Sequence, residues 1–165
     1  MTQMERTLLM PMFETARIAD RLRRAFYSGA WHGEALFEIL RGVTAKQAAA
    51  RPIKSAHSIW ELVLHIAAWD GAVRKRMMGV PVKLSAARNF PAVTDTSEAA
   101  WTEALEHLRS VHDELIEAVE KFPKARLSAQ VPGKKGAHYN FQYMLDGLAQ
   151  HELYHAGQIA LLKKM

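Results

Sequence analysis

The chain predicts an all-α fold, a four-helix bundle with an additional N-terminal helical segment, in a single domain covering residues 1–165. Three observations lead there. Apolar residues recur at intervals of three and four nearly throughout, and the alternating runs that suit strands are nearly absent. Helix-opening signals stand where the apolar stripes begin. No internal repeat or linker divides the 165 residues, a length that buries a sizeable core without disulfides or a structural metal.

Each element has its own signals. The first helical region runs from about Thr7 to Tyr27 and breaks at Ser28-Gly29. A second piece covers about Trp31 to Arg41. Thr44 and Gln47 form a capping box over a short turn that Pro52 stops. The best-marked helix opens at Ser58, where Glu61 completes a capping box; it carries the stripe Leu62, Ile66, Trp69, Val73 and ends near Gly79. A polar, proline-containing connection spans roughly Val80 to Asp95. Asp95 and Glu98 open the next helix, about Glu98 to Lys121, with Trp101, Leu105, Leu108, Val111 and Leu115 as its buried stripe and Pro123 as its stop. Lys124–Tyr139, with Pro132-Gly133 and Gly136, suits a loop or a weak hairpin. Asn140 caps the last helix, about Phe141 to Lys163, whose inner stripe reads Met144, Leu148, His151, His155, Ile159, Leu162. Lys163 and Lys164 complement the dipole at its end. Long helices joined by one long crossover make the four-helix bundle the expected packing.

Composition narrows the chemistry. There is no cysteine, which excludes a disulfide framework, a thiolate zinc site and a cysteine nucleophile; any thiol must arrive with a cosubstrate. The net charge of +5 is spread over most segments, densest at Arg21, Arg23, Arg24 and at Arg74, Lys75, Arg76. Without a cluster interleaved with aromatics, no nucleic-acid partner is expected. No apolar run reaches the roughly 20 residues a bilayer span needs. The patch Leu8–Phe13 is flanked by Glu5, Arg6 and Glu14 and lacks a cleavage pattern, so a cytoplasmic protein is expected.

Three histidines interrupt apolar stripes. His151 and His155 stand four residues apart, diverging by only about 40° around a helix, and can address one object. His65 breaks the core stripe of a different helix, between Leu62 and Trp69. Imidazoles in a core must each find a hydrogen-bond partner or share a metal. Three from two helices exceed what a packed core tolerates, and bundle cores are where facing helices build metal sites. The expectation is one divalent metal ion held by His65, His151 and His155, with coordination positions left open.

The segment His151-Glu152-Leu153-Tyr154-His155 also matches the H-E-x-x-H pattern of zinc proteases. Those enzymes take a third ligand downstream, whereas the ten residues after His155 contain no histidine, aspartate or glutamate; Gln158 and Leu161 stand where the extended pattern requires glycine and histidine. A third ligand must therefore come from upstream. Glu152, about 100° from His151, reads as a weak candidate base or a solvent-facing side chain. Gln158 lies on the ligand stripe and can orient an imidazole or touch a substrate. Glu61, one turn before His65, has its capping role as sufficient explanation, and Tyr154 can line the pocket or pack between helices. His57 lies two turns from His65, too far along the axis for a fourth ligand. His32 has no spacing that ties it to the site. His107, His112 and His138 fall on surface or loop positions.

The stretches from His57-Ser58-Ile59-Trp60-Glu61 to His65 and from His151-Glu152-Leu153-Tyr154-His155 to Ile159 resemble the two metal-ligand stretches of the DinB-like superfamily, also grouped with YfiT. The resemblance covers roughly Trp31 to Lys163; Met1–Phe26 matches less readily. It implies a bundle of DinB/YfiT type with one divalent ion, nickel or zinc, on three histidines, which by position are His65, His151 and His155. It implies a small-molecule substrate, with low-molecular-weight thiols such as mycothiol, bacillithiol or glutathione as cosubstrates, and it brings a homodimer into consideration. The expected function is a metal-dependent enzyme activating a thiol or water, hence a thiol S-transferase or a hydrolase. The alternative is a non-catalytic metal- or small-ligand-binding, stress-related bundle protein.

Overall fold

A computed structural model describes residues 14–136 and 138–165. Among the described residues seven helices follow in order: α1 (Glu14–Phe26), α2 (Leu36–Leu40), α3 (Ala45–Ala49), α4 (Ile59–Met77), α5 (Ala86–Asn89), α6 (Glu98–Glu120) and α7 (Phe141–Leu162), with a 3-10 turn at Lys124–Arg126. The four long ones close a ring. α4 packs against α6 and α7, and α1 packs against the same two. The four-helix architecture is the expected one; the part of the first helix placed at Thr7–Phe13 lies outside the described residues.

The capping signals hold where they were clearest. Ser58 accepts from the Glu61 N–H and Glu61 accepts from the Ser58 N–H, so α4 begins at a fixed residue. Thr44 and Gln47 do the same for α3. Asn140 caps α7 through the Tyr143 N–H. At α6 the cap is Ser97 rather than Asp95 or Glu98. Asp95 instead accepts from the Ser97 N–H, while Glu98 reaches across to the Ala45 N–H and ties α6 to α3.

Three segments depart from expectation. The piece read as Trp31–Arg41 is helical only over Leu36–Leu40. Gly33 adopts φ +132, which no helix accommodates, and Trp31 before it is fully exposed. The connection after α4 contains α5, a single turn that places Asn89 and Phe90 over α4. The hairpin candidate at Lys124–Tyr139 reduces to one antiparallel bridge, Gln130 to Asn140.

The core is two apolar clusters with a polar layer between them. One gathers Ile59, Leu62, Ile66, Trp101, Leu108 and Ile159 with α2 and α3. The other gathers Leu22, Val73, Leu115, Phe141, Leu145 and Leu148. Each fully buried leucine contributes about 1.5–3 kcal/mol, so these clusters hold the bundle together. At their boundary sit Asp70 of α4, His112 of α6 and Glu152 of α7, all without solvent exposure.

Candidate metal centre

α4 and α7 bring His65, His151 and His155 together as their stripes predict. The Nε2 atoms of His65 and His151 are 3.0 Å apart, and those of His155 and His151 are 3.1 Å apart. His65 and His155 are buried and His151 is half-buried. Two of the rings have their tautomer fixed from outside. His65 Nδ1–H donates to the Asn89 carbonyl at 2.7 Å, and His155 Nδ1–H donates to Gln158 Oε1 at 2.7 Å. A neutral imidazole carries one N–H, so both rings turn an Nε2 lone pair toward His151.

His151 cannot satisfy this arrangement. A hydrogen on its Nε2 could point squarely at only one of two lone pairs, and its Nδ1 is buried with no partner. Added protons give no relief. Burial first, and then the neighbouring charges of His155 and His65, push the His151 imidazole down to about 3. Burial also lowers His65 and His155. Three neutral rings thus aim nitrogen atoms at one region with too few hydrogens to fill it. A divalent cation fits that donor set. Two imidazole nitrogens about 2.1 Å from one ion and at right angles to each other stand about 3.0 Å apart. The three histidines are a group that could hold a metal ion.

The surroundings orient the rings. Phe90 stacks on His65 with centroids 4.1 Å apart and planes within 6°, and His57 stacks on Phe90 at 3.7 Å. His57 is therefore a prop one ring removed from the site. Trp69 donates from Nε1 to Asn89 Oδ1, so one asparagine of α5 grips both His65 and the tryptophan. Glu61 stays with its cap and pairs with Arg51. Although burial works against it, the Ser58 N–H and Arg51 hold its carboxyl below the usual range.

The remaining candidates separate cleanly. Gln158 orients His155, as its spacing suggests. Tyr154 is exposed, with its ring edge on His155 at a centroid distance of 5.0 Å. His32, His107 and His138 are exposed and take no part in the three-histidine group. Two expectations fail. His112 is not on the surface and Glu152 is not solvent-facing. Both are fully buried, with His112 Nδ1 2.9 Å from Asp70 Oδ2 and 3.4 Å from Glu152 Oε1, and the imidazole stacked on Phe26. Glu152 faces this layer, so it is no base for the histidine site. The signal was present in the sequence. His112 stands four residues after Leu108 and three before Leu115, and Glu152 stands four after Leu148, both on apolar stripes. Asn89 and Phe90 gave no signal, because a loop residue's partner depends on where the loop lands.

A cavity of about 490 Å³ opens beside His151, bordered also by Trp69, Arg76, Tyr139 and Tyr143. A sequence profile of the DinB superfamily matches residues 29–159, from before α2 into the last turn of α7. That span contains α4, α7 and all three histidines. The chain belongs to the DinB superfamily. No curated protein and no solved structure matches it. In this DinB superfamily chain, α1 closes the helical ring although the profile begins after it.

Proposed function

We propose that the chain is a metal-dependent enzyme in which His65, His151 and His155 hold one divalent ion, nickel or zinc, and act on a small molecule with a thiol cosubstrate or water as nucleophile. The reading is carried by one observation: two imidazoles whose Nδ1–H groups are already committed turn bare Nε2 lone pairs onto a third ring. When bound, the ion would lower the pKa of a thiol or water at an open coordination position toward neutrality.

The chain's own residues supply the rest. Asn89 and Gln158 hold the rings of His65 and His155 in the ligating tautomer. Phe90 shields one face of His65 from water. The cavity against His151 gives a substrate a place beside the centre, which favours catalysis over mere metal storage. The absence of cysteine suits a nucleophile that arrives from solution.

The test is elemental analysis of untagged protein prepared without a metal column, paired with turnover assays. About one equivalent of nickel or zinc is expected in the native chain, and a large loss in His65→Ala. Consumption of an electrophile only when thiol is supplied identifies the transferase, and consumption without thiol identifies the hydrolase. Full stoichiometric metal in His65→Ala would remove that residue from the ligand set.

A further inference from the structure

One wall of the cavity contains a buried cation that no carboxylate pairs. Arg76, at the end of α4, is only 2% exposed. Its Nε and Nη2 both donate to the Val82 carbonyl, at 3.1 and 2.7 Å, and its guanidinium lies over the Trp69 ring, 5.3 Å from the centroid. Those contacts fix the group's plane and use two of its five N–H donors. Nη1 is buried and has no partner. No carboxylate pairs with Arg76 among the described residues. The acid that borders the same cavity, Asp146, pairs with Arg21, 2.9 Å from its Nη2, and accepts from Gln142 at Oδ2, while its Oδ1 is buried without a hydrogen bond.

Leaving a buried guanidinium nitrogen unpaired costs free energy that the rest of the fold must offset. The neighbourhood reinforces the positive field. Lys134 lies near enough to Arg76 and Lys83 that, after burial, their charges lower its pKa, and its ammonium stands 5.1 Å over the Tyr139 ring. Apart from Asp146 and Gln150, the remaining lining is mostly apolar and aromatic, from Trp69, Val73, Tyr139, Tyr143 and Leu148.

We infer that this cavity binds a small molecule with a carboxylate on an apolar, ring-sized body, the Arg76 side chain shifting to bring its buried Nη1 to the carboxylate and the body lying along the aromatic wall toward His151. A free guanidinium edge matches the two oxygens of a carboxylate. A phosphate dianion would call for more donors than one arginine supplies here. The inference rests on the proposed function only for what happens at the histidine end; recognition of the anion belongs to Arg76 whether or not metal is present.

The probe is 3-phenylpropanoate against its neutral isostere 3-phenylpropanamide, titrated calorimetrically into full-length protein, both metal-stripped and zinc-loaded. The acid is expected to bind at least tenfold more tightly than the amide in both forms and in His65→Ala. Arg76→Met should abolish that preference, and Arg76→Lys should reduce it, since a lysine keeps the charge without the fork. Because Arg76 also anchors Val82, the wild-type protein carries an independent readout: its Arg76 guanidinium 15N resonances should shift on adding the acid and stay in place with the amide. Equal affinity for acid and amide, unmoved guanidinium resonances, or a preference that survives in folded Arg76→Met would each overturn the assignment. So would a preference that disappears with the metal and in His65→Ala, because the anion would then be a metal ligand. Protein that binds no metal yet keeps the acid preference would sink the catalytic reading and leave the carboxylate site standing.

Discussion

An imidazole offers a metal its Nε2 lone pair only while the ring's hydrogen stays on Nδ1. For His65 that hydrogen is held by a backbone carbonyl, Asn89 O, which no side-chain substitution at Asn89 removes directly. For His155 it is held by the side chain of Gln158, which can be removed. Gln158→Ala is therefore expected to weaken metal binding by roughly 10–100-fold while leaving the fold intact. Competition against a chromophoric chelator measures this, with Gln158→Glu, which still accepts from Nδ1–H, retaining most of the affinity. Unchanged affinity in Gln158→Ala would mean that packing alone sets the His155 ring.

At the scale of elements, α4 does most of the positioning. Its start is fixed by the Ser58–Glu61 box, it presents His65 in its second turn, and it ends at the guanidinium of Arg76. A register error of one residue in α4 would turn His65 by about 100° out of the site. Ser58→Ala removes an accepted N–H bond and should cost about 1 kcal/mol, lowering Tm by about 2–4 °C in a chain of this length. Thermal denaturation of metal-free protein isolates this term from metal binding. The short helix α5 is the second positioning element. It folds back so that Asn89 bonds both His65 and Trp69 and Phe90 caps the His65 ring.

For the whole molecule the polar layer of Asp70, His112 and Glu152 is the feature most sensitive to conditions. Against burial, which disfavours its charge, the carboxylates of Asp70 and Glu152 push the His112 imidazole up to about 9. Burial, then the charge of Asp70, pushes Glu152 up to about 7, and burial raises Asp70 as well. A histidine raised from 6.5 binds more protons folded than unfolded between those values. Its contribution is fully present below pH about 6.5 and is lost as pH rises through about 9. Glu152, raised from 4.5, acts in the same direction between about 4.5 and 7. Denaturant titrations of metal-free protein should accordingly show stability falling from pH 6.5 to 9. His112→Leu strands two buried carboxylates and should destabilise by about 3–5 kcal/mol, whereas the all-apolar combination Asp70→Leu, His112→Phe, Glu152→Met should recover much of that loss and flatten the alkaline fall. A triple variant as pH-sensitive as the native chain would show that the dependence arises elsewhere.

What the sequence determined by itself is whatever depends on residues three and four apart. The caps at Ser58, Thr44 and Asn140, the stripes of α4 and α7, and the facing of His65, His151 and His155 all follow from helical period, because one helix fixes the relative directions of its own side chains. Reading α7 as having one inner face was where that reasoning stopped short. A helix between two neighbours buries two faces, so His151 and His155 meet α4 while Glu152 meets the layer with His112. Only the tertiary structure decided that the Asn89 carbonyl reaches His65, that Arg76 ends beside a cavity with one nitrogen unpartnered, and that three ionisable side chains from three helices share one buried layer. These contacts join residues far apart in the chain, and the distances between them are set by how whole helices pack, which no local pattern encodes.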